Sequence, residues 1–201
     1  SGVKGTYYSL DGGLYALYTQ TLVVSADGAH EVQYYAIDKA GNIETAGKVG
    51  FKIDTGAPAV AYTLDPPANA AGWNSAAVSV IFTGTDAGSG IEECPSGNTS
   101  SEGKDQQITG WCRDLAGNVG YSTATLNIDL TQPVVSAVQV PVPNTYGWNN
   151  GAVEVSFAGT DALSGIAYCE PAKIISVEGA SQTVSGYCTD YAGLSSTAAL
   201  T

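Results

Sequence analysis

The sequence has no methionine, a single histidine, and only seven Lys and Arg against 19 Asp and Glu. A formal net charge of -12 leaves no basic patch to neutralise phosphates, which argues against nucleic acid and anionic membrane surfaces as partners. No run of about 18 apolar residues occurs, so no helix encoded here would span a bilayer. The one histidine, His30, follows the Asp27-Gly28 pair with no motif placing a nucleophile against it. It reads as a solvated turn residue, and no catalytic constellation is expected. Paired carboxylates for glycoside hydrolysis would need a cleft and two unequal environments, which nothing in the pattern provides. What is present instead is 25 glycines, a 44% apolar fraction and 13% charged residues, the composition of a folded, turn-rich, all-β chain. The acidity serves solubility without any ligand, and it equally suits divalent cations.

The stretch GTDAGSGI at 84–91 returns as GTDALSGI at 159–166. Trp73 recurs as Trp148, Asp86 as Asp161, Cys94 as Cys169 and Pro58 as Pro133, each 75 positions on, while Cys112 and Asp114 recur as Cys188 and Asp190 at 76. Self-similarity at a fixed period marks a repeat architecture. An earlier unit shares the same endings: Asp38-Lys-Ala-Gly-Asn42 matches Asp114-Leu-Ala-Gly-Asn118, and the run from Ile53 to Pro58 matches that from Ile128 to Pro133. Proline stiffens a join and cannot extend the hydrogen bonding of the strand before it. Units are therefore expected at 1–57, 58–132 and 133–201. Counting from Pro58 to Ser89 gives about 31 residues, two strands, that are expected to precede Ser1, with the last strand of the third unit running past Thr201.

Val78, Val80 and Phe82 alternate with Ser79, Ile81 and Thr83, and the core set returns as Val153, Val155 and Phe157. Period two with one apolar face is a half-buried strand. Further strands are expected over 30–37, 107–113 and 183–189, after the turns Asp27-Gly28, Glu102-Gly103 and Glu178-Gly179. Short strands at this spacing predict tandem Greek-key β-sandwiches of immunoglobulin-like type, beads on a string. GTDAGSGI then forms the B–C loop, the DxAGN stretch the F–G loop, and the residues before IDxxxP strand G. Trp73 and Trp148 are expected to plug the sandwich ends. Unit one carries extra residues, TYYSLDGGLYALYTQT, which read as a hairpin around Asp11-Gly12.

Four cysteines allow three pairings. The repeat selects one: Cys94 with Cys112 and Cys169 with Cys188 each stay within a unit, and unit one lacks both partners together, with Thr6 and Ala36 in their places. Each bridge closes a loop of under twenty residues, worth on the order of 3 kcal/mol in the chain-entropy model. Such bridges imply an oxidising, extracytoplasmic setting, extracellular or cell-surface. Ile91 and Cys94 have opposite parity, which requires either a bulge or a cysteine beyond the strand end.

GWN leading into VSVIF, the TDAGSGI loop, YYSLDGG, GAHEVQYYAIDKAGNIE and IDTGAP, in that shared order, resemble the immunoglobulin-like repeats of bacterial surface proteins, adhesins and secreted polysaccharide-degrading enzymes. The resemblance implies a non-catalytic β-sandwich used in tandem as a rigid stalk, spacer, adhesive fibre or binding module. Its partners would be neighbouring units of the same or an adjacent chain, surface glycans or host proteins. An accessory carbohydrate-binding region of a secreted polysaccharide-active enzyme stays open as an alternative. So does a filament protomer assembled by β-strand complementation, since a unit without its first strands exposes an edge.

Three groups of residues merit attention in this frame. The immunoglobulin-like topology brings Asp54 near Asp86 and Asp114, and Asp129 near Asp161 and Asp190. Three carboxylates suit Ca2+, although no cofactor is required, because each Asp also caps its own turn. Tyr35, Trp111 and Tyr187 share one repeated, outward-facing position that would stack on sugars or cover the sheet. Asn98-Thr-Ser is a formal glycosylation sequon in a loop.

Overall fold

The computed structural model describes residues 1–99 and 101–201, and its regular elements among these are all strands. In chain order they are β1 (Val3–Leu10), β2 (Ala16–Leu17), β3 (Gly28–Asp38), β4 (Gly47–Ile53), β5 (Ala59–Asp65), β6 (Val78–Thr85), β7 (Ile91–Glu93) and β8 (Gly97–Thr99). There follow β9 (Gly103–Asp114), β10 (Val119–Ile128), β11 (Val134–Val140), β12 (Val153–Thr160), β13 (Ile166–Cys169), β14 (Lys173–Ile175), β15 (Val184–Asp190) and β16 (Ser195–Leu200). They pair into small sheets of order β2-β1-β3-β4, β10-β9-β7, β5-β6-β8, β11-β12-β14 and β13-β15-β16. The chain divides into two compact units, one of Ser1–Val60, Thr83–Cys94 and Trp111–Tyr121, the other of Ala61–Phe82, Pro95–Gly110 and Ser122–Thr201. Residues 58–132 contribute to both. No helix among the described residues is long and apolar enough to cross a membrane.

In the first unit, Asp11 (φ 50°) and Gly12 (φ 73°) turn the chain after β1, and β2 comes back to pair with Tyr7 and Tyr8. Because β1 also pairs along β3, the same turn lies over the start of β3. Asp11 accepts the Glu31 N–H at 2.8 Å and sits 2.8 Å from His30 Nδ1, while His30 Nε2 faces the Ala26 carbonyl at 2.8 Å. His30 is therefore not the solvated turn residue its sequence position indicated: its side chain is 10% exposed, on a strand and against a carboxylate. Both ring nitrogens face acceptors, which only the imidazolium satisfies. The hydrogen bond to Asp11 raises the His30 pKa above its ordinary value and lowers that of Asp11.

In the second unit, Val78, Val80 and Phe82 are buried, as alternation predicts for one face of β6. The Phe82 ring packs onto Gly110, where any Cβ would overlap it, and Phe157 meets Gly186 in the same way. Glycine is needed at these positions for close approach. The two tryptophans part company: Trp73 is 7% exposed but Trp148 is 58% exposed, so only the first plugs a core. Next to Trp73, Asn74 donates its N–H to the Asn127 carbonyl and accepts from Asp129 N–H, both at 2.9 Å.

Two short strands account for the middle of the later segments. After β7 and after β13 the chain changes sheets, so that β8 pairs with β6 and β14 with β12. Cys94 and Cys169 lie at these changes, and their partners Cys112 and Cys188 on β9 and β15. A register shift falls between Ile91 and Glu93 with Cys94 just past β7, and another between Ile166 and Tyr168 inside β13. A bulge thus reconciles the parities, and in the first case the cysteine is also beyond the strand. Asn98, expected in a loop, is on β8 opposite Ser79 and exposed. The last residue of its sequon, Ser100, lies outside the described residues.

Candidate functional site

Three aspartates come together at the start of the second repeat. Asp54 follows β4, Asp86 follows β6 and Asp114 ends β9, and one carboxylate oxygen of each lies within 4.8 Å of the others. Each holds its own loop. Asp86 Oδ1 accepts the N–H groups of Gly88 (3.1 Å) and Gly90 (2.8 Å), and Asp114 Oδ1 those of Ala116 (2.9 Å) and Asn118 (2.8 Å). These are Asx turns. Asp54 accepts Gly56 N–H at 3.1 Å on Oδ1 and reaches across the chain to Ser89 N–H at 2.6 Å on Oδ2. The Ser89 hydroxyl and amide lower the Asp54 pKa. Gly88 makes this reach sterically available, since a Cβ there would lie 2.5 Å from Asp54 Cγ.

The first triad is completed by an amide. Asn118 Nδ2 donates to Asp114 Oδ2 at 2.9 Å and to the Asp54 carbonyl at 3.0 Å, so the buried Asp114 has bonds on both carboxylate oxygens. Asn42 does the same for Asp38 in the first unit, at 2.8 Å, joined there by the Ser1 hydroxyl at 2.7 Å.

Asp129, Asp161 and Asp190 form the second triad, again within 4.8 Å of one another. Asp129 accepts Thr131 N–H (3.1 Å) and Ser164 N–H (3.1 Å), and Asp161 Oδ1 accepts Leu163 N–H (3.0 Å) and Gly165 N–H (2.7 Å). Burial pushes the Asp161 carboxyl up, and the amides of Gly165, Leu163 and Ser164 outweigh it, for a net lowering. Asp190 differs. Its Oδ1 takes Leu194 N–H at 2.9 Å, but Leu194 stands where the other loops have asparagine, and Asp190 Oδ2 is buried without a hydrogen-bond partner. Burial foremost, then the charges of Asp129 and Asp161, raises the Asp190 pKa. A buried acceptor left unpaired costs about 1–3 kcal/mol, more when charged. Leu163 also replaces Gly88, so the two loops differ in bulk as well as in hydrogen bonding.

The remaining expected residues are placed as follows. Cys94 bonds Cys112 and Cys169 bonds Cys188. The Tyr35 ring is flanked by Tyr7 (centroids 5.5 Å apart, stacked) and Tyr15 (4.9 Å). The Arg113 guanidinium lies 5.9 Å from the Trp111 ring centroid and is itself held by Glu92 and Glu93. Tyr187 is 41% exposed, with Tyr168 at 5.9 Å. Each of the three rings thus has a side-chain neighbour within its own sheet.

Sequence reasoning missed two kinds of residue. Asp27 and Glu102 do more than precede a turn glycine: Asp27 accepts from Thr55 N–H (3.0 Å) and hydroxyl (2.9 Å), and Glu102 from Leu130 N–H (2.6 Å) and the Thr131 hydroxyl (2.7 Å). They secure the linkers that carry Asp54 and Asp129. The role of Asn42 and Asn118 was signalled only by the last letter of DxAGN, which becomes leucine in the third copy.

No family model and no curated protein matches the chain. It is similar to a solved structure bearing on host cell surface retention of a 1.5-MDa bacterial ice-binding adhesin, at 13% identity and a TM-score of 0.39, over 99% of this chain and 85% of that one.

Proposed function

We propose that the chain is a non-catalytic extracellular structural segment, a stalk, spacer or adhesive fibre of a surface or secreted protein, with immunoglobulin-like units at 1–57, 58–132 and 133–201. The observation that carries this reading is how the linkers are held. Asp54 and Asp129, each one residue past a strand end, are bonded into the loops that follow the next unit's β6 and β12, through Ser89 and Ser164. Asp27 and Glu102 hold the same linkers from the other side. Linkers fixed by several hydrogen bonds limit hinge motion, which suits a part that transmits or spaces. The order β11-β12-β14 with β13-β15-β16 supports the sandwich reading, being that of strands A, B and E against C, F and G. The two disulfides fit an oxidising compartment.

The test is surface shaving. Brief protease treatment of intact source cells releases peptides of this chain, with Cys94–Cys112 and Cys169–Cys188 still bridged in non-reduced digests. Recovery from the cytosol with four free thiols would overturn the proposal. A second reading, assembly by strand complementation, is favoured by one face of the β2-β1-β3-β4 sheet, where Tyr34 is 44% and Val49 is 52% exposed. Light scattering checks it: concentration-dependent oligomers well above 20.4 kDa support complementation, and a strict monomer of the 201-residue chain removes it.

A further inference from the structure

The two triads place the same three acidic side chains within the same distance of one another, and only one of them is internally complete. Around Asp114, the Asn118 amide supplies the donor for the second carboxylate oxygen. Around Asp190, which is 2% exposed, the matching residue is Leu194, with no donor, and Oδ2 remains buried and unpaired beside the carboxylates of Asp129 and Asp161. A buried carboxylate with an unpaired oxygen and two further carboxylates close by needs a positive partner, and no Lys, Arg or His pairs with these three residues among the described ion pairs.

We propose that Asp129, Asp161 and Asp190 bind one calcium ion, whereas the triad of Asp54, Asp86 and Asp114 is closed by Asn118 and binds calcium far more weakly or not at all. The ligand set is all oxygen, which selects hard cations over zinc. Oxygens up to 4.8 Å apart fit one ion with Ca–O distances of about 2.3–2.6 Å, since two such bonds span that separation. Asp161 is only partly buried, which leaves a side for water to complete the coordination. Asp190 contributes Oδ2, while the loop amides of Leu194, Ser164 and Gly165 orient the three carboxylates from behind. This site does not depend on whether the chain serves as a stalk.

The test is calcium titration of the full chain, stripped with chelator, by calorimetry together with equilibrium dialysis. The expected result is one calcium per chain, with Kd at or below about 10⁻³ M. Asp190→Asn abolishes binding, Asp86→Asn leaves it unchanged, and Leu194→Asn, which supplies the missing donor, weakens it by about tenfold or more. Amide NMR spectra establish that each variant is folded, and should Asp190→Asn not fold, Leu194→Asn decides. No binding at millimolar calcium overturns the proposal. So does binding that survives Leu194→Asn undiminished, or binding lost in Asp86→Asn.

Discussion

The triads at Asp114 and at Asp190 are near copies in sequence and different in chemistry. Both collect three carboxylates from a linker, a loop after one strand and the end of another. In the first, a single side chain, Asn118, pairs with Asp114 and fastens the Asp54 carbonyl, so that charge concentration and linker attachment are solved by one amide. In the second, Leu194 removes both bonds and leaves an oxygen without a partner. A repeat that keeps its charged positions therefore need not keep what balances them. An acidic cluster by itself says little; the residue beside it decides whether an external cation has work to do.

That contrast is broken most severely by Asn118→Leu, which gives the first triad the composition of the second. Asp114 Oδ2 and the Asp54 carbonyl both lose their donor, and a loss of about 3 kcal/mol is expected in denaturant titrations with chelator present, partly recovered by calcium. Equal stability of variant and parent would mean that Asn118 does not close the site. Gly88→Ala comes next. Its Cβ meets the Asp54 carboxylate, so the bond to Ser89 N–H is lost or strained at a cost of about 2 kcal/mol, whereas Leu163, at the matching place, already has its Cβ.

Acidification separates the triads by sign. The Asp54 pKa is lowered in the fold, so its contribution is present above 3.8 and is lost as pH falls through the lower folded value. The Asp190 pKa is raised, so ionised Asp190 weakens the fold above that folded pKa, and protonation on the way down towards 3.8 relieves it. Melting in chelator should therefore show the region of Asp190 gaining stability between neutral pH and pH 4 while that of Asp54 does not. Calcium should abolish the gain. The smallest effect is expected from Asn42→Leu, within about 0.5 kcal/mol, because Asp38 is only half-buried and retains the Ser1 hydroxyl.

Much of the strand order was legible because alternation and turn chemistry agree locally: Val78, Val80 and Phe82 form one buried face, and β3, β9 and β15 begin at or near the expected turns. The acidic positions were legible because the 75-residue period aligns them. What escaped were features set by side-chain reach. The fate of His30 depends on Asp11, 19 residues earlier in the chain, folding back onto β3. The short β8 and β14 carry too few residues for a periodic signal. The Asn118 to Leu194 exchange reads as a loop substitution until the carboxylate it faces is placed.

Amide hydrogen exchange of the wild-type chain with and without calcium, read in the two loops side by side, tests the central claim most directly. Calcium should slow exchange at Leu163, Ser164, Gly165 and Leu194, whose N–H groups bond the second triad, and leave Gly88, Ser89, Gly90 and Asn118 unchanged. Equal slowing in both sets, or none in either, would contradict it.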